Sequence, residues 1–332
     1  MECNFCRSSL PPLRQPDALA HTAKAKASLL AEIGQMNLEI FKHVHVQQES
    51  VKYCVEKMLE AKHVSEPNNF KIWLLKAVTV IDLTTLAGDD TKANALISKC
   101  CNKNSLVRCA AVCVYPNRVA DAFDVIQASK MLNIVQIASV ATGFPSGLYP
   151  LKSRLLEIEY AVSQGANEID VVLDRSLVLT GKWVELYSEV KQMKAACGEA
   201  HLKVILGVGE LGTMNNIYKA SMVSMYAGAD FIKTSTGKEA VNATLPIGLV
   251  MCRAIRKYYN LTGRKVGLKP AGGIKTPEDA VNWLILVKCE LGEEWLTPKL
   301  FRIGASSLLG AIESRLHTLK TGKTLMILLS FI

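Results

Sequence analysis

The chain has 332 residues, 49% of them apolar and 21% charged, a balance that excludes a disordered polymer and supplies a sizeable core. Its formal charge of +9 is scattered, with no run of five like charges, so the basic stripe of a nucleic-acid-binding protein is missing and no nucleic-acid partner is expected. A pocket for phosphorylated metabolites suits such a mildly basic surface, and ten cysteines without a repeating spacing read as reduced thiols in the cytoplasm.

Residues 1–70 read as an N-terminal extension, largely helical. ALAHTAKAKASLLAEIGQMNLEIF is alanine-rich, VKYCVEKMLEAKHV has the pattern of an amphipathic helix, and Pro67-Asn68-Asn69 marks a boundary. The extension can be a cap, an oligomer contact or a segment loosely packed on the rest of the chain. Cys3 and Cys6 form a C-x2-C pair, but with His43 and His45 the spacing fits no common zinc module. Glu2 and Asp17 sit among Arg7, Arg14, Lys24 and Lys26, against the acid-poor pattern of a mitochondrial leader.

From residue 71 a beat of short β-branched runs, turns and helical stretches begins. The predicted strands are Ala77–Leu83, Ala110–Tyr115, Ile134–Val140, Glu168–Leu173, Leu202–Val208, Ala229–Thr234, Lys265–Ala271 and Leu300–Ser306. Helical patterns lie between them. One spans Leu151 to Gln164, and another opens at Thr276-Pro277-Glu278-Asp279 with a hydroxyl cap, a proline and two acids. Glycines 165, 198, 228 and 263 fall where helices should end. Eight such units over 71–320 predict an α/β fold, a (β/α)8 TIM barrel. The alternative is an open doubly wound sheet, but no G-x-G-x-x-G follows the first strand. Residues 321–332 form a separate apolar tail; TLMILLSFI is far shorter than the ~20 residues that span a bilayer, so no membrane partner is expected.

In a barrel the carboxyl ends of the strands converge on one mouth. Asp82, Asp170, Lys233, Lys269 and Ser306-Ser307 all fall within or just beyond such ends. Lys233 closes the sixth run in FIKTSTG. A free lysine has a pKa of ~10.4, so well under ~1% is the nucleophilic amine at neutral pH. Desolvation and a second cation both lower it, and Lys269 on the next strand is placed to be that cation. Either lysine alone reads as well as an ion-pair partner; the two together point to Schiff-base chemistry. Asp170, flanked by Ile169 and Val171, reads as a carboxylate between the lysines, either a salt bridge or a proton relay. Gly272-Gly273 and the serines after the eighth run suit a phosphate, by close backbone approach and hydroxyl donation. No His/Asp/Glu cluster has metal-ligand spacing, so neither a metal nor another cofactor is expected.

VIDLTTL, AAVCVYP, EIDVV, FIKTSTGK, KPAGGI and FRIGASSLL, in this order, closely resemble the deoxyribose-phosphate aldolase family, class I aldolases of deoxynucleoside catabolism. WLLKAVTVIDLTTLAGDDT and SLVLTGKW resemble its animal-type branch, and the likeness runs from about Lys71 to Lys320. It implies reversible cleavage of 2-deoxy-D-ribose 5-phosphate to acetaldehyde and D-glyceraldehyde 3-phosphate. Lys233 would form the imine, Asp170 and Lys269 would handle protons, and Asp82, Thr84, Cys113 and Lys203 would line or support the pocket. Gly237, Gly272, Gly273, Ser306 and Ser307 would hold the phosphate. For Cys113, packing is an equal reading. Val208 stands where the family usually has a threonine, which would weaken the site modestly. No tyrosine lies beyond Tyr259, whereas family members usually carry one in a polar tail; turnover would fall if that tail assists proton transfer. A Schiff-base barrel for another sugar phosphate, or a non-catalytic sugar-phosphate-binding or interaction barrel, remains open on the residues, as does a homo-oligomer.

Overall fold

The computed structural model describes residues 44–60, 67–91 and 107–322. The alanine-rich segment, the Cys3–Cys6 pair with His43 and the TLMILLSFI tail lie outside the described residues. The helix Gln48–Glu60 buries Val51 and Val55 and packs on two helices of the barrel, Leu245–Thr262 and Pro277–Leu291. A second helix, Pro67–Thr79, runs almost directly into the first strand. Ala77–Thr79, read from the sequence as strand, are its last residues. Leu74, Ala77 and Val78 are buried at helical spacing, and an apolar run without alternation carries no mark of where helix gives way to strand.

Eight strands follow: β1 (Ile81–Thr84), β2 (Ala111–Val114), β3 (Gln136–Ala141), β4 (Glu168–Val172), β5 (His201–Ile205), β6 (Phe231–Lys233), β7 (Gly267–Lys269) and β8 (Ile303–Ala305). They pair in parallel in the order β7-β6-β5-β4-β3-β2-β1-β8. The ring closes between β7 and β8, where Arg302 N donates to Leu268 O at 3.0 Å and Gly304 N to Pro270 O at 2.9 Å. This is the (β/α)8 barrel that the alternating pattern predicts, not the open sheet. Most strands are shorter than the apolar runs, because apolar character follows burial, which continues past the last ladder hydrogen bond.

Side chains cap the intervening helices. Thr276 and Asp279 form a reciprocal capping box ahead of Pro277–Leu291, and Thr244 caps Leu245–Thr262. Gly263, with φ +70°, ends that helix in the left-handed conformation glycine adopts without strain.

Side chains at alternate strand positions enter the barrel, and the interior divides by chemistry. Ala111 and Cys113 of β2, Ala138 and Val140 of β3, Val172 and Ile205 make an apolar sector with Phe144. The rest is charged, with Asp82, Glu168, Asp170, Lys203, Lys233, Lys269 and Arg302 all 3% exposed or less. So many ionisable groups in one core cost stability unless each finds a partner. Here they find one another.

Candidate active site

Asp170 is the hub. Its Oδ2 accepts from Lys233 Nζ at 2.8 Å and from Lys269 Nζ at 2.6 Å, while Oδ1 accepts from Lys203 Nζ at 2.9 Å. The strand register sets this up. Lys233 and Lys269 are directly paired on β6 and β7, and Asp170 is paired with Lys203 across β4 and β5. Lys269 Nζ also lies 2.5 Å from Asp82 Oδ2 in a close ion contact rather than an aligned hydrogen bond. Gly304 on β8 leaves room for it: a Cβ there would lie 3.2 Å from Lys269 Cε.

One layer towards the amino ends of the strands, Lys203 Nζ is 2.6 Å from Glu168 Oε2. Arg302 grips both Glu168 oxygens, at 3.0 and 2.6 Å, and donates to Asp82 Oδ1 at 2.6 Å. The guanidinium also faces the Phe231 ring at 5.6 Å. Four bases thus meet three carboxylates, every one of them buried. Deprotonating a single base brings the group to neutrality.

The environment selects Lys233. Burial pushes its amine below the ordinary lysine range, Lys269 pushes the same way, and Asp170 opposes them. For Lys269 and Lys203, burial also disfavours the charge, but Asp170 and the other carboxylates outweigh it and raise both groups. Burial would raise the Asp170 carboxyl, yet Lys203, Lys233 and Lys269 hold it well below its usual value. The same contest, won by the neighbouring cations, lowers Glu168 and Asp82. Burial pushes the Cys113 thiol up, so it is held as a neutral thiol.

Lys233 also reaches outward. It lines a cleft of about 490 Å³ at the carboxyl ends of the strands, together with Thr84, Gly237, Gly272, Gly273, Ser306 and Ser307. Gly237, Gly272 and Gly273 have φ values of +84°, +85° and +85°. At Gly272 a Cβ would also lie 2.7 Å from Asn242 Cγ. Ser307 precedes the helix Leu308–Thr321 without a capping hydrogen bond and is exposed where it lines the cleft.

The structure therefore brings the predicted residues to two levels. Lys233, Thr84 and the glycine–serine set line the cleft, whereas Asp82, Asp170, Lys203, Lys269 and Cys113 are buried outside its lining. Val208 is buried in a short 3-10 turn after β5. Sequence reasoning missed Glu168 and Arg302 in the buried network, and Lys238 and Lys275 on the cleft wall. A signal existed for the first two: each stands two residues before an inward position, Asp170 or Gly304, and so shares its face.

Fold and site define a parallel (β/α)8 barrel organised around a buried, deprotonation-prone lysine at its carboxyl mouth. The chain belongs to the DeoC/LacD family of aldolases, whose pattern it matches over residues 76–309. It is 50% identical over 305 residues to a human deoxyribose-phosphate aldolase, covering 87% of this chain and 94% of the relative. A mouse deoxyribose-phosphate aldolase is 57% identical over 267 residues, covering 76% of this chain and 83% of the relative. The fold matches a crystal structure of a putative deoxyribose-phosphate aldolase from Toxoplasma gondii with a TM-score of 0.67 at 21% identity, over 78% of this chain and 98% of that one.

Proposed function

We propose that this protein is a class I aldolase that reversibly cleaves 2-deoxy-D-ribose 5-phosphate to acetaldehyde and D-glyceraldehyde 3-phosphate, in deoxyribonucleoside catabolism. The observation that carries it is Lys233, opening into the cleft while its Nζ rests 2.8 Å from a carboxylate shared with Lys269. Relatives named for that reaction at 50% identity and above support the choice of substrate.

In this reading the neutral Lys233 amine adds to the C1 carbonyl, and the hydroxyl so formed takes up a proton from solvent and leaves as water, giving a protonated imine. Asp170, with Lys269, takes the proton from the C3 hydroxyl, directly or through a water. The C2–C3 electron pair then flows into the imine, releasing glyceraldehyde 3-phosphate and leaving an enamine. Protonation at C2 and hydrolysis free acetaldehyde and regenerate the amine. The phosphate rests on Gly237, Gly272, Gly273, Ser306 and Ser307, with Lys238 and Lys275 adding positive charge to the cleft wall. Thr84 meets the substrate in the cleft, whereas Asp82 and Lys203 act from beneath by holding Lys269 and Asp170. No metal or other cofactor enters these steps. We assign the reaction to a barrel of residues 71–320, with 1–70 as an extension and 321–332 as a tail, and place it in the cytoplasm. Among the described residues no helix is long and apolar enough to cross a membrane.

The test is to incubate the protein with 2-deoxyribose 5-phosphate, reduce with borohydride and locate the adduct by peptide mass. An adduct on Lys233 is expected. A folded protein that stays unlabelled while a control aldolase is labelled overturns the reading in favour of a non-catalytic barrel.

A further inference from the structure

We propose that Glu168 and Arg302, which do not reach the cleft, are positioning residues: they anchor Lys203 on one oxygen of Asp170, leaving the other oxygen to Lys233 and Lys269, and their opposite charges bias the network around the Lys233 amine in opposite directions. The inference rests on Lys233 being the reactive amine.

The geometry is asymmetric in a way that pairing alone does not require. Lys203 has three carboxylates around it, at 2.6 Å (Glu168), 2.9 Å (Asp170) and 3.7 Å (Asp82). The shortest contact is to Glu168, one layer below the reacting level. Glu168 is itself fixed by the Arg302 fork, and Arg302 is also tied to Asp82 and, through Nε, to Pro298 O. Without Glu168, Lys203 would be drawn up towards Asp170, whose Oδ2 is the oxygen that Lys233 and Lys269 share.

Neither residue can act by touching substrate. Both line a separate cavity of about 440 Å³, where Arg108, His201 and Lys299 also lie, whereas Lys233 lines the upper cleft. The ion-pair layer lies between the two openings.

The charged and titratable groups facing this network come from nearly every strand. They are Asp82 (β1), Cys113 (β2), Glu168 and Asp170 (β4), His201 and Lys203 (β5), Lys233 (β6), Lys269 (β7) and Arg302 just before β8. β3 contributes Ala138 and Val140. Cys113 is held as a thiol, and His201 is exposed, 3.9 Å from Glu168. The balance therefore lies among four bases and three carboxylates. Removing one carboxylate or one base from the lower layer changes it in opposite directions without altering the cleft.

The experiment measures how readily Lys233 is methylated by formaldehyde and cyanoborohydride as a function of pH, read by peptide mass. This titrates the amine whether or not the protein is an aldolase. Glu168→Gln keeps the shape and removes a negative charge, so the pH at which Lys233 becomes reactive should fall by about half to one unit. Arg302→Met removes a positive charge and should raise it by a similar amount. Arg302→Lys keeps the charge while losing the fork and should leave it near wild type. The double variant Glu168→Gln/Arg302→Met restores the balance and should return the midpoint to within about 0.3 unit. Should Arg302→Met fail to fold, the fall in Glu168→Gln and its reversal in the double variant carry the same test. Shifts of the same sign in both single variants, or no shift in Glu168→Gln, overturn the proposal. Borohydride trapping of the wild-type imine separates this outcome from failure of the aldolase reading, since an adduct there with unmoved midpoints sinks only the positioning role.

Discussion

Burial is the first cause that lowers the Lys233 amine, and replacing Lys269 by methionine isolates the second, the neighbouring ammonium. Both ammonium groups contact the same oxygen of Asp170, at 2.8 and 2.6 Å, so they lie on the order of 5 Å apart. At an effective dielectric of ~20, two like charges at that distance repel by about 3 kcal/mol, which corresponds to about two pKa units at ~1.36 kcal/mol each. Removing Lys269 also leaves three bases against three carboxylates, a balanced group in which burial alone still favours the neutral Lys233 amine. The neutral fraction of Lys233 at neutral pH should fall about a hundredfold. Because Lys269 is also placed to move protons, a loss of kcat alone would say little. The informative reading is the acid limb of kcat/KM against pH, which should move up by at least about one unit in Lys269→Met and stay in place in Lys269→Arg. An acid limb that does not move in Lys269→Met would falsify the electrostatic account, whatever happens to the rate.

Other outcomes can be checked in parallel. Gly272→Ala places a methyl group 2.7 Å from Asn242 Cγ at a φ of +85°, so KM for the phosphorylated sugar should rise about tenfold or more while unphosphorylated deoxyribose is little affected. Equal losses on both sugars would remove this loop from the phosphate site. Cys113→Ala should keep activity within about threefold and cost about 1 kcal/mol of stability by denaturant titration, since the buried thiol is held neutral in an apolar sector. Complete inactivation of a folded variant would instead make the thiol a participant.

Acid sensitivity has a defined sign. Asp170 and Glu168 have folded values held well below 3.8 and 4.5, so the stability they contribute is present above those values and is lost as pH falls through the lower folded ones. Thermal midpoints should therefore begin to drop below about pH 4 and keep falling as the pH is lowered further. Lys269 and Lys203, raised above 10.5, stabilise fully below that value and lose their contribution only as pH rises through their folded values. Lys233 is lowered, so its contribution grows with pH between its folded value and 10.5. A midpoint flat between pH 7 and pH 3 would contradict the carboxylate part of this picture.

Much of this protein is legible along the chain. Eight apolar runs at strand–helix spacing specify a parallel barrel, because a strand buried on both faces must be apolar and its parallel neighbour needs a helical crossover. A barrel brings the carboxyl ends of its strands to one mouth, and so the strand pattern alone places Lys233, Lys269, Asp170 and the glycine–serine turns near one another. Which charges neutralise which emerges only from the folded barrel. Glu168 and Arg302 lie 134 residues apart and meet across the barrel floor, and Asp170 divides its two oxygens among lysines from three strands. The first strand's start was also beyond the sequence, since Ala77 and Val78 bury equally well at the end of a helix. Hydrophobic patterning is a local property and can be read along the chain. The ionisation of a buried lysine depends on every charge within a few ångströms, and that set exists only once the strands have closed.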